Sequence, residues 1–187
     1  MRALLVSALL LGGCATGGIA APPGPVGAAA SADVIGASGA RVGSARFAEG
    51  PRGVVIRLEL DPGALAPGWH GAHLHEAGDC ADVAAGFKAS GAHAGHAPEG
   101  QATTHGLLNA SGPEAGDLAN IFAPASGPIN AELYAPGVTL APAALGDRAP
   151  LRGPRGAAFI IHANADDHTS QPIGGAGARL ACAAIKP

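Results

Sequence analysis

Glycine and proline are spread through most of this chain, and they limit how long any regular element can be. The 187 residues include 30 glycines and 16 prolines, about a quarter of the total. This content favours short elements joined by many turns, or partial disorder. Hydrophobic residues make up 48% of the chain and aromatic residues only 3%. We therefore expect one domain with a sizeable core built mainly from Val, Ile, Leu and Ala.

Short alternating segments are the main secondary-structure signal. GVVIRLELD (residues 53–61) predicts a strand with one buried face, because the apolar Val54, Ile56, Leu58 and Leu60 fall on one side and the polar Arg57, Glu59 and Asp61 on the other. Turn signals such as DPG, APG and SGP separate the segments, and no convincing long amphipathic helix is present. The pattern predicts an all-β antiparallel sandwich or barrel. The further predicted strands are 42–48, 69–75, 118–124, 129–135, 157–163 and 178–185.

Two predicted loops are long for such a fold, at about residues 76–117 and 164–177. Outside the segment 69–75, most of the histidine and aspartate residues of the chain lie in these two loops, together with Cys80. Long ordered loops in compact domains are often functional. We therefore expect the functional residues to lie in these two loops and on the strands beside them.

The N-terminus predicts export and membrane attachment. Residues 1–13 have one arginine and a short apolar run, as in a secretory signal, and the run is too short to span a bilayer. The sequence LGGC resembles a bacterial lipobox, so Cys14 is expected to be lipidated; the alternative is an ordinary cleaved signal with an incidental cysteine. Residues 14–31 are predicted to be the lipidated end and a flexible Ala/Gly/Pro linker, and residues 32–187 the domain. This predicts a periplasmic protein anchored in a membrane, with Ala15 and Thr16 favouring the outer membrane.

The remaining cysteines and the charge pattern narrow the class further. Without Cys14 the chain has two cysteines, Cys80 and Cys182, and such a pair in an exported protein is most simply a disulfide. Closing a loop of about a hundred residues would contribute about 4–5 kcal/mol of stability. The formal net charge is −3 and no run of lysine or arginine occurs, so nucleic acid is not an expected partner.

Histidines are concentrated in the segment WHGAHLHEAGDC (residues 69–80). In a strand the side-chain period is two, so His73 and His75 project from the same face. The histidines at 93, 96, 105 and 162 add further donors, and the combination predicts a metal site. A donor set rich in imidazole and free of thiolate suits copper or zinc.

Four segments in order resemble the copper/zinc superoxide dismutases of the bacterial exported type. They are PGWHGAHLHEAGDC, HGLLNASGPEAGDLAN, IIHANADD and GGAGARLAC, and the resemblance covers about residues 44–185. It implies an immunoglobulin-like Greek-key β-sandwich or barrel of about eight antiparallel strands with two long functional loops. It also implies a copper and zinc enzyme that converts superoxide, its substrate, to dioxygen and hydrogen peroxide and so protects the cell envelope.

The resemblance carries roles onto individual residues of this chain. It implies that Arg179 steers superoxide beside the copper, that Cys80 and Cys182 form the family disulfide, and that His70 and Asp166 hold the ligands in place. The implied copper ligands are His73, His75, His162 and a bridging histidine, and the implied zinc ligands are that bridge, His105, Glu114 and Asp117.

Two departures from the family pattern leave alternatives open. The bridge is expected to be His93, which would also have a catalytic role, but His96 could be the bridge or an extra ligand. Glu114 stands where the family has a zinc histidine, so it either binds zinc or leaves that site weak or empty. The alternative function is therefore a superoxide dismutase-like lipoprotein that stores or delivers copper and zinc without turnover.

Two further predictions concern the rest of the domain. A homodimer is possible, and His168 is predicted to be an exposed loop residue.

Overall fold

The structure is a computed structural model that describes residues 26–96 and 104–187. The predicted signal, Cys14 and most of the predicted linker lie outside the described residues. Within the described ranges the chain forms eleven strands and two 3₁₀ turns, Val83–Ala85 and Lys88–Ser90, and no helix there is long and apolar enough to cross a bilayer. The strands are β1 (Ala29–Gly36), β2 (Arg41–Gly50), β3 (Gly53–Leu60), β4 (Gly68–His70), β5 (Ala72–His75), β6 (Ile121–Ala123), β7 (Ile129–Ala135), β8 (Val138–Thr139), β9 (Ala149–Pro150), β10 (Ala157–His162) and β11 (Arg179–Ile185).

Seven strands form one antiparallel sheet in the order β5-β10-β11-β1-β2-β3-β7. Leu74 on the first strand of this order and Leu133 on the last belong to the same hydrophobic core, so the sheet curls around that core. Two small two-stranded sheets, β4-β6 and β8-β9, complete the described fold, and the second of these is a two-residue parallel pair. The predicted all-β sandwich or barrel with mainly antiparallel pairing is confirmed.

The described strands differ most from the predicted ones at three places, and several other strand ends are shifted by one or two residues. The segment 69–75 is divided at Gly71, because β4 pairs with β6 whereas β5 pairs with β10. The segment 118–124 is reduced to the three residues of β6. Strand β1 starts before the predicted domain start at residue 32, since it is already paired with β2 at Ala29, opposite Ala48. The Ala-rich start of β1 has no hydrophobic alternation that could have marked it.

The two faces of β5 and β10 pack against different parts of the molecule. On β5, Ala72 and Leu74 belong to the main core, so His73 and His75 lie on the opposite face. On β10, Phe159 and Ile161 belong to the main core, while Ile160 joins Phe87 and Cys182 in a second cluster. Because Phe87 comes from the long loop after β5, that loop covers the outer face of these strands and buries the histidines.

Candidate metal centre

Four histidines from three parts of the chain meet on the outer face of β5 and β10. His73 and His75 come from β5, His162 ends β10, and His93 comes from the loop after β5, where it forms a β-bridge with His75. We call these residues the four-histidine group, and all four side chains are buried. The ring centroids of His73 and His93 are 4.2 Å apart, and those of His73 and His162 are 4.8 Å apart.

Three rings of the four-histidine group are each held in place by a hydrogen bond through one of their two nitrogens. His73 Nε2 contacts Asp166 Oδ2 at 2.8 Å, His75 Nδ1 contacts the Gly91 carbonyl at 2.9 Å, and His162 Nδ1 contacts the Gly177 carbonyl at 3.1 Å. An acceptor at one nitrogen places the single proton of a neutral ring there and leaves a lone pair on the other nitrogen.

The second nitrogens of these rings are the strongest indication of a bound metal. His73 Nδ1, His75 Nε2 and His162 Nε2 are buried without a hydrogen-bond partner, and His93 Nε2 is the fourth such atom. One ligand atom from each of the four residues lies within 4.8 Å of the others. Buried polar atoms without partners are costly. A metal ion between them would satisfy all four at once, so the residues present fit such an ion.

A second set of donors lies beside the first and includes the other nitrogen of His93. His93 Nδ1 is 3.0 Å from Asp117 Oδ1 and 2.8 Å from Glu114 Oε2. His105 Nδ1 is 2.8 Å from the same oxygen of Asp117. Ligand atoms of His73, His93, His105 and Asp117 lie within 4.8 Å of one another. We call His93, His105, Glu114 and Asp117 the carboxylate group, since Glu114 joins it through its contact with His93.

Of the two histidines left open as the bridge, only His93 belongs to both groups. His96 has a side chain that is 48% exposed, and its Nδ1 makes a short contact with Glu114 Oε1. Glu114 therefore lies between the two histidines, with one oxygen on each. His96 is placed to orient Glu114 rather than to reach the four-histidine group.

Burial and the carboxylates separate the two groups electrostatically. Burial lowers the pKa of His73 and His75, and together with the neighbouring His73 it lowers the pKa of His162 to about 3. Burial opposes protonation of His105 as well, but its bonds to Asp117 and Asp166 outweigh this and raise its pKa to about 10. His73, His75 and His162 are therefore neutral at neutral pH, and the nitrogen without a partner in each ring carries no proton.

Asp166 and His70 hold the two groups in place. Asp166 joins them, since its Oδ2 is bound to His73 and its Oδ1 is 3.2 Å from His105 Nε2. Burial opposes ionisation of Asp166, but these two bonds outweigh it and lower its pKa well below the usual value. His70 connects the end of β10 to the preceding loop, with Nδ1 at 2.7 Å from the His162 carbonyl and Nε2 at 2.8 Å from the Ala66 carbonyl.

Arg179 begins β11 next to the four-histidine group and is paired in register with His162. Its guanidinium donates to the Phe87 carbonyl at 2.8 Å, to Ser90 Oγ at 2.9 Å and to the Gly91 carbonyl at 2.9 Å. The Gly91 carbonyl also accepts the bond from His75. One backbone oxygen therefore fixes both a cation and a histidine of the group.

The disulfide is present as predicted. Cys80 and Cys182 are bonded, with a Cα–Cα distance of 5.7 Å and a sequence separation of 102 residues. Cys182 lies on β11 three residues after Arg179, and Cys80 lies in the loop that carries the carbonyl partners of Arg179. The bridge therefore links the guanidinium strand to the loop that holds the guanidinium.

Sequence reasoning missed several groups that hold the site. The carbonyls of Gly91 and Gly177 accept from the histidines, and no sequence signal identifies a carbonyl acceptor. The prediction that His168 is exposed is wrong, because its side chain is only 18% exposed and its ring faces Asp166. The segment DDH places it two residues after Asp166, and this spacing could have indicated the contact.

A family profile and the individual relatives of this chain point to the same protein family. The family profile for copper/zinc superoxide dismutase (SODC) matches residues 41–185. A superoxide dismutase [Cu-Zn] of Caulobacter vibrioides is 48% identical over 157 residues, which cover 84% of this chain and 85% of that protein.

Two solved structures are also similar. A superoxide dismutase-like protein from Bacillus subtilis has a TM-score of 0.72 and 30% identity, covering 84% of this chain and 99% of its own. The Cu/Zn superoxide dismutase from Brucella abortus has a TM-score of 0.61 and 27% identity, with the same coverage. The residues of both groups lie within the matched range. This chain belongs to the copper/zinc superoxide dismutase family.

Proposed function

We propose that this chain is a superoxide dismutase that holds copper in the four-histidine group and zinc in the carboxylate group. The observation that carries the proposal is the convergence of four buried ring nitrogens without partners, beside a fixed guanidinium. The relatives named superoxide dismutase support the same activity. One similar structure is described only as superoxide dismutase-like, so the site of this chain has to support the activity by its own residues.

The copper ligands in this proposal are His73 through Nδ1 and His75, His93 and His162 through Nε2. When bound there, copper supplies a centre that takes an electron from one superoxide ion and gives it to another, so that two superoxide ions and two protons become dioxygen and hydrogen peroxide. The chain supplies neutral imidazole donors for it, because burial lowers the pKa of His73, His75 and His162. Binding therefore needs no proton release from these rings.

The zinc ligands in this proposal are His93, His105, Asp117 and Glu114. Asp117 Oδ2 is held by the backbone N–H groups of Gly106 and Glu114 at 2.7 and 3.0 Å, which leaves Oδ1 facing the two histidines. Glu114 provides a second carboxylate where the family has a histidine, and carboxylate oxygens are accepted zinc ligands. Zinc bound here would fix the ring of His93 through Nδ1.

Arg179 and His93 are the residues we assign to the substrate itself. Arg179 keeps its guanidinium in one position through three hydrogen bonds to the loop, so a bound anion meets a fixed positive charge. His93 has its Nδ1 on the carboxylate group and its Nε2 in the four-histidine group. His93 Nε2 can bind copper or carry a proton but not both at once, so it could donate a proton to the substrate only while it is released from copper.

The experiment is a superoxide-decay assay on protein whose copper and zinc contents have been measured. We expect rapid decay with one copper per chain, and loss of decay in His73→Gln with the fold retained by circular dichroism. A control is Glu132→Gln on the exposed surface of β7, which should leave decay unchanged. Copper-replete wild-type protein without activity would rule the enzyme out.

The second candidate function is copper and zinc binding without turnover. It is favoured by Glu114 in place of the family histidine and by His96, which contacts Glu114. The same assay separates the candidates, because a storage or delivery protein binds copper with full occupancy and does not accelerate superoxide decay.

We also propose that the protein faces the periplasm and is anchored in the outer membrane through a lipid on Cys14. The support is the N-terminal sequence, since the apolar segment ends in LGGC. In cells that make the full chain, Cys14→Ser should move the protein from the membrane fraction to the soluble periplasmic fraction. Equal membrane association of both proteins would contradict the proposal. The same purified soluble form can be tested for a homodimer by light scattering.

A further inference from the structure

We propose that His168 is a positioning residue of the metal centre: Asn120 fixes its ring so that the Nδ1 N–H points at Asp166, the carboxylate that joins the two groups of ligands. The inference rests on the proposed function, because it assigns metals to those groups. It adds a residue that binds neither metal and that the family resemblance does not assign.

The orientation of Asn120 is determined by the backbone of Asp166. Asn120 Oδ1 accepts from the Asp166 N–H at 2.8 Å, and Asn120 Nδ2 donates to the Asp166 carbonyl at 2.8 Å. Rotating the amide by 180° would place Nδ2, a donor, against the Asp166 N–H and Oδ1, an acceptor, against the Asp166 carbonyl. The position of the amide nitrogen is therefore settled by two independent contacts.

The fixed amide in turn settles the proton on His168. Asn120 Nδ2 lies 3.3 Å from His168 Nε2, and its second hydrogen is available for this contact because an amide nitrogen only donates. His168 Nε2 is therefore the acceptor, and the single ring proton lies on Nδ1. That nitrogen is buried, has no hydrogen-bond partner among the described residues, and lies 3.5 Å from Asp166 Oδ2. The protonated nitrogen of the ring therefore lies beside the carboxylate, at a distance longer than a normal hydrogen bond.

The backbone of His168 is built around the same carboxylate. Its N–H donates to Asp166 Oδ1 at 2.7 Å, and its φ is 61°, in the left-handed region that few residues other than Gly adopt and in which Asn, Asp and His are enriched. Its carbonyl accepts from Leu108 N–H at 3.1 Å, which ties the loop after β10 to the segment that carries His105. His168 thus contacts Asp166 through both backbone and ring.

Asp166 decides which nitrogen each neighbouring histidine presents. Because Asp166 Oδ2 takes His73 Nε2 and Oδ1 takes His105 Nε2, the Nδ1 atoms of both rings face the ligand groups. A carboxylate held by His168 keeps both rings in this orientation. Without the ring of His168, Asp166 has one fewer positive dipole and more freedom to rotate, and both metal-facing nitrogens are less well placed.

The test compares two variants that both tolerate a left-handed φ. His168→Gly removes the ring, and His168→Asn keeps an amide N–H close to the position of Nδ1. We expect the zinc dissociation constant of the copper-loaded protein, measured against a competing chelator, to rise about 10-fold in the Gly variant and to stay close to wild type in the Asn variant. A Gly variant with wild-type zinc affinity, or an Asn variant as weak as the Gly variant, would overturn the proposal.

A second measurement needs no variant. In ¹⁵N spectra of the wild-type zinc and copper(I) protein, which is diamagnetic, His168 should carry its proton on Nδ1. A proton on Nε2 would overturn the proposal even if both variants fail to fold. Both readouts are independent of turnover, so a failed superoxide-decay assay would contradict the proposed function and leave the role of His168 to be decided by zinc affinity and by the ring proton.

Discussion

At the scale of single residues, the site depends on side chains that use one atom for position and another for chemistry. His75 is held by the Gly91 carbonyl and His162 by the Gly177 carbonyl, and each keeps its other nitrogen free. Glu114 follows the same rule with two oxygens, one on His93 and the other on His96. The free atom of each residue is useful only because the partner of the other atom is fixed.

Glu114 is the residue whose contribution is easiest to isolate. Glu114→Gln keeps the shape of the side chain and removes the negative charge that we assign to zinc. We expect zinc affinity, measured by chelator competition, to fall by at least about 100-fold, because a direct ligand should matter no less than the partners of ligands. Copper binding in the four-histidine group should be retained, and this can be checked by the copper content of the same samples.

The matched control for Glu114 is Glu132→Gln, the same chemical change at an exposed position on β7. It should leave zinc affinity unchanged. If the Glu114→Gln variant binds zinc as tightly as the wild type does, Glu114 is not a zinc ligand. His96 then becomes the better candidate for the fourth ligand.

The sequence predicted the donors of the site better than their surroundings. The strand period placed His73 and His75 on one face, and the family resemblance implied the roles of Asp117 and Asp166. The choice between His93 and His96 could not be made from spacing alone, because it depends on the β-bridge between His93 and His75. The partial burial of His168 was missed because a loop histidine near an aspartate is usually solvated, and its contact with Asn120 comes from a distant segment.

At the scale of elements, the loop after β5 and the strand β11 act as one unit. The loop supplies the carbonyls that hold Arg179, and β11 supplies Arg179 itself. The Cys80–Cys182 bond joins the two, three residues after Arg179 on β11 and in the same loop as the partners of Arg179. The element pair therefore positions the cation beside the four-histidine group, and the disulfide keeps the pair together.

Removal of the disulfide should affect both stability and catalysis. In the double variant Cys80→Ala and Cys182→Ala, the free energy of unfolding should fall by about 4 kcal/mol, as expected for a closed loop of about a hundred residues. Because the loop can then move away from Arg179, kcat/KM for superoxide should fall at unchanged copper content. Denaturant titration and the decay assay measure the two effects.

The control for cysteine removal is Cys14→Ser, which leaves the bridge intact and should match the parent protein in both measurements. An unfolding free energy of the double variant equal to that of this control would show that the bridge does not constrain the chain. A lower stability with unchanged kcat/KM would show that Arg179 keeps its position without the bridge.

The elements themselves were predictable where hydrophobic alternation marks them. The segment 129–135 forms β7 with the predicted bounds, because Ile129, Leu133 and Ala135 face the core. The start of β1 was not predictable, since it is held by backbone pairing of small residues with β2 rather than by large side chains. The division of 69–75 follows from Gly71, where an added Cβ would lie 2.9 Å from Ala176 Cβ, a tertiary contact that the sequence does not display.

At the scale of the whole molecule, the net charge opposes the proposed substrate. The chain has a formal charge of −3, and superoxide is an anion. Lys88 is one of only two lysines and is exposed between Phe87 and Ser90, whose oxygens hold Arg179. Asp82 counteracts it from the same loop, since its charge acts on Arg179 and its Oδ2 accepts from the Ala89 N–H at 2.9 Å. The local field at the site is therefore a balance of few charges.

This balance predicts that Lys88→Glu slows the reaction with superoxide by reversing a charge on the loop that holds Arg179. Charges that focus an anionic substrate raise association rates by roughly 10- to 1,000-fold in total, so we expect kcat/KM to fall by up to about 10-fold for one residue. The wild-type rate should fall as salt is added, because screening weakens the attraction. In the variant this fall should be smaller or reversed. Superoxide decay followed over a range of ionic strengths measures both effects.

Lys186→Glu is the matched control, because it changes the net charge by the same amount at the other end of β11. Lys186 lies seven residues after Arg179 along an extended strand, about 23 Å away at 3.3 Å per residue, which exceeds the screening length at physiological salt. Its Nζ donates to the Gly78 carbonyl at 2.9 Å. If both variants slow the reaction equally, the overall charge governs the approach of superoxide. If only Lys88→Glu slows it, the charge on the loop that holds Arg179 governs the approach.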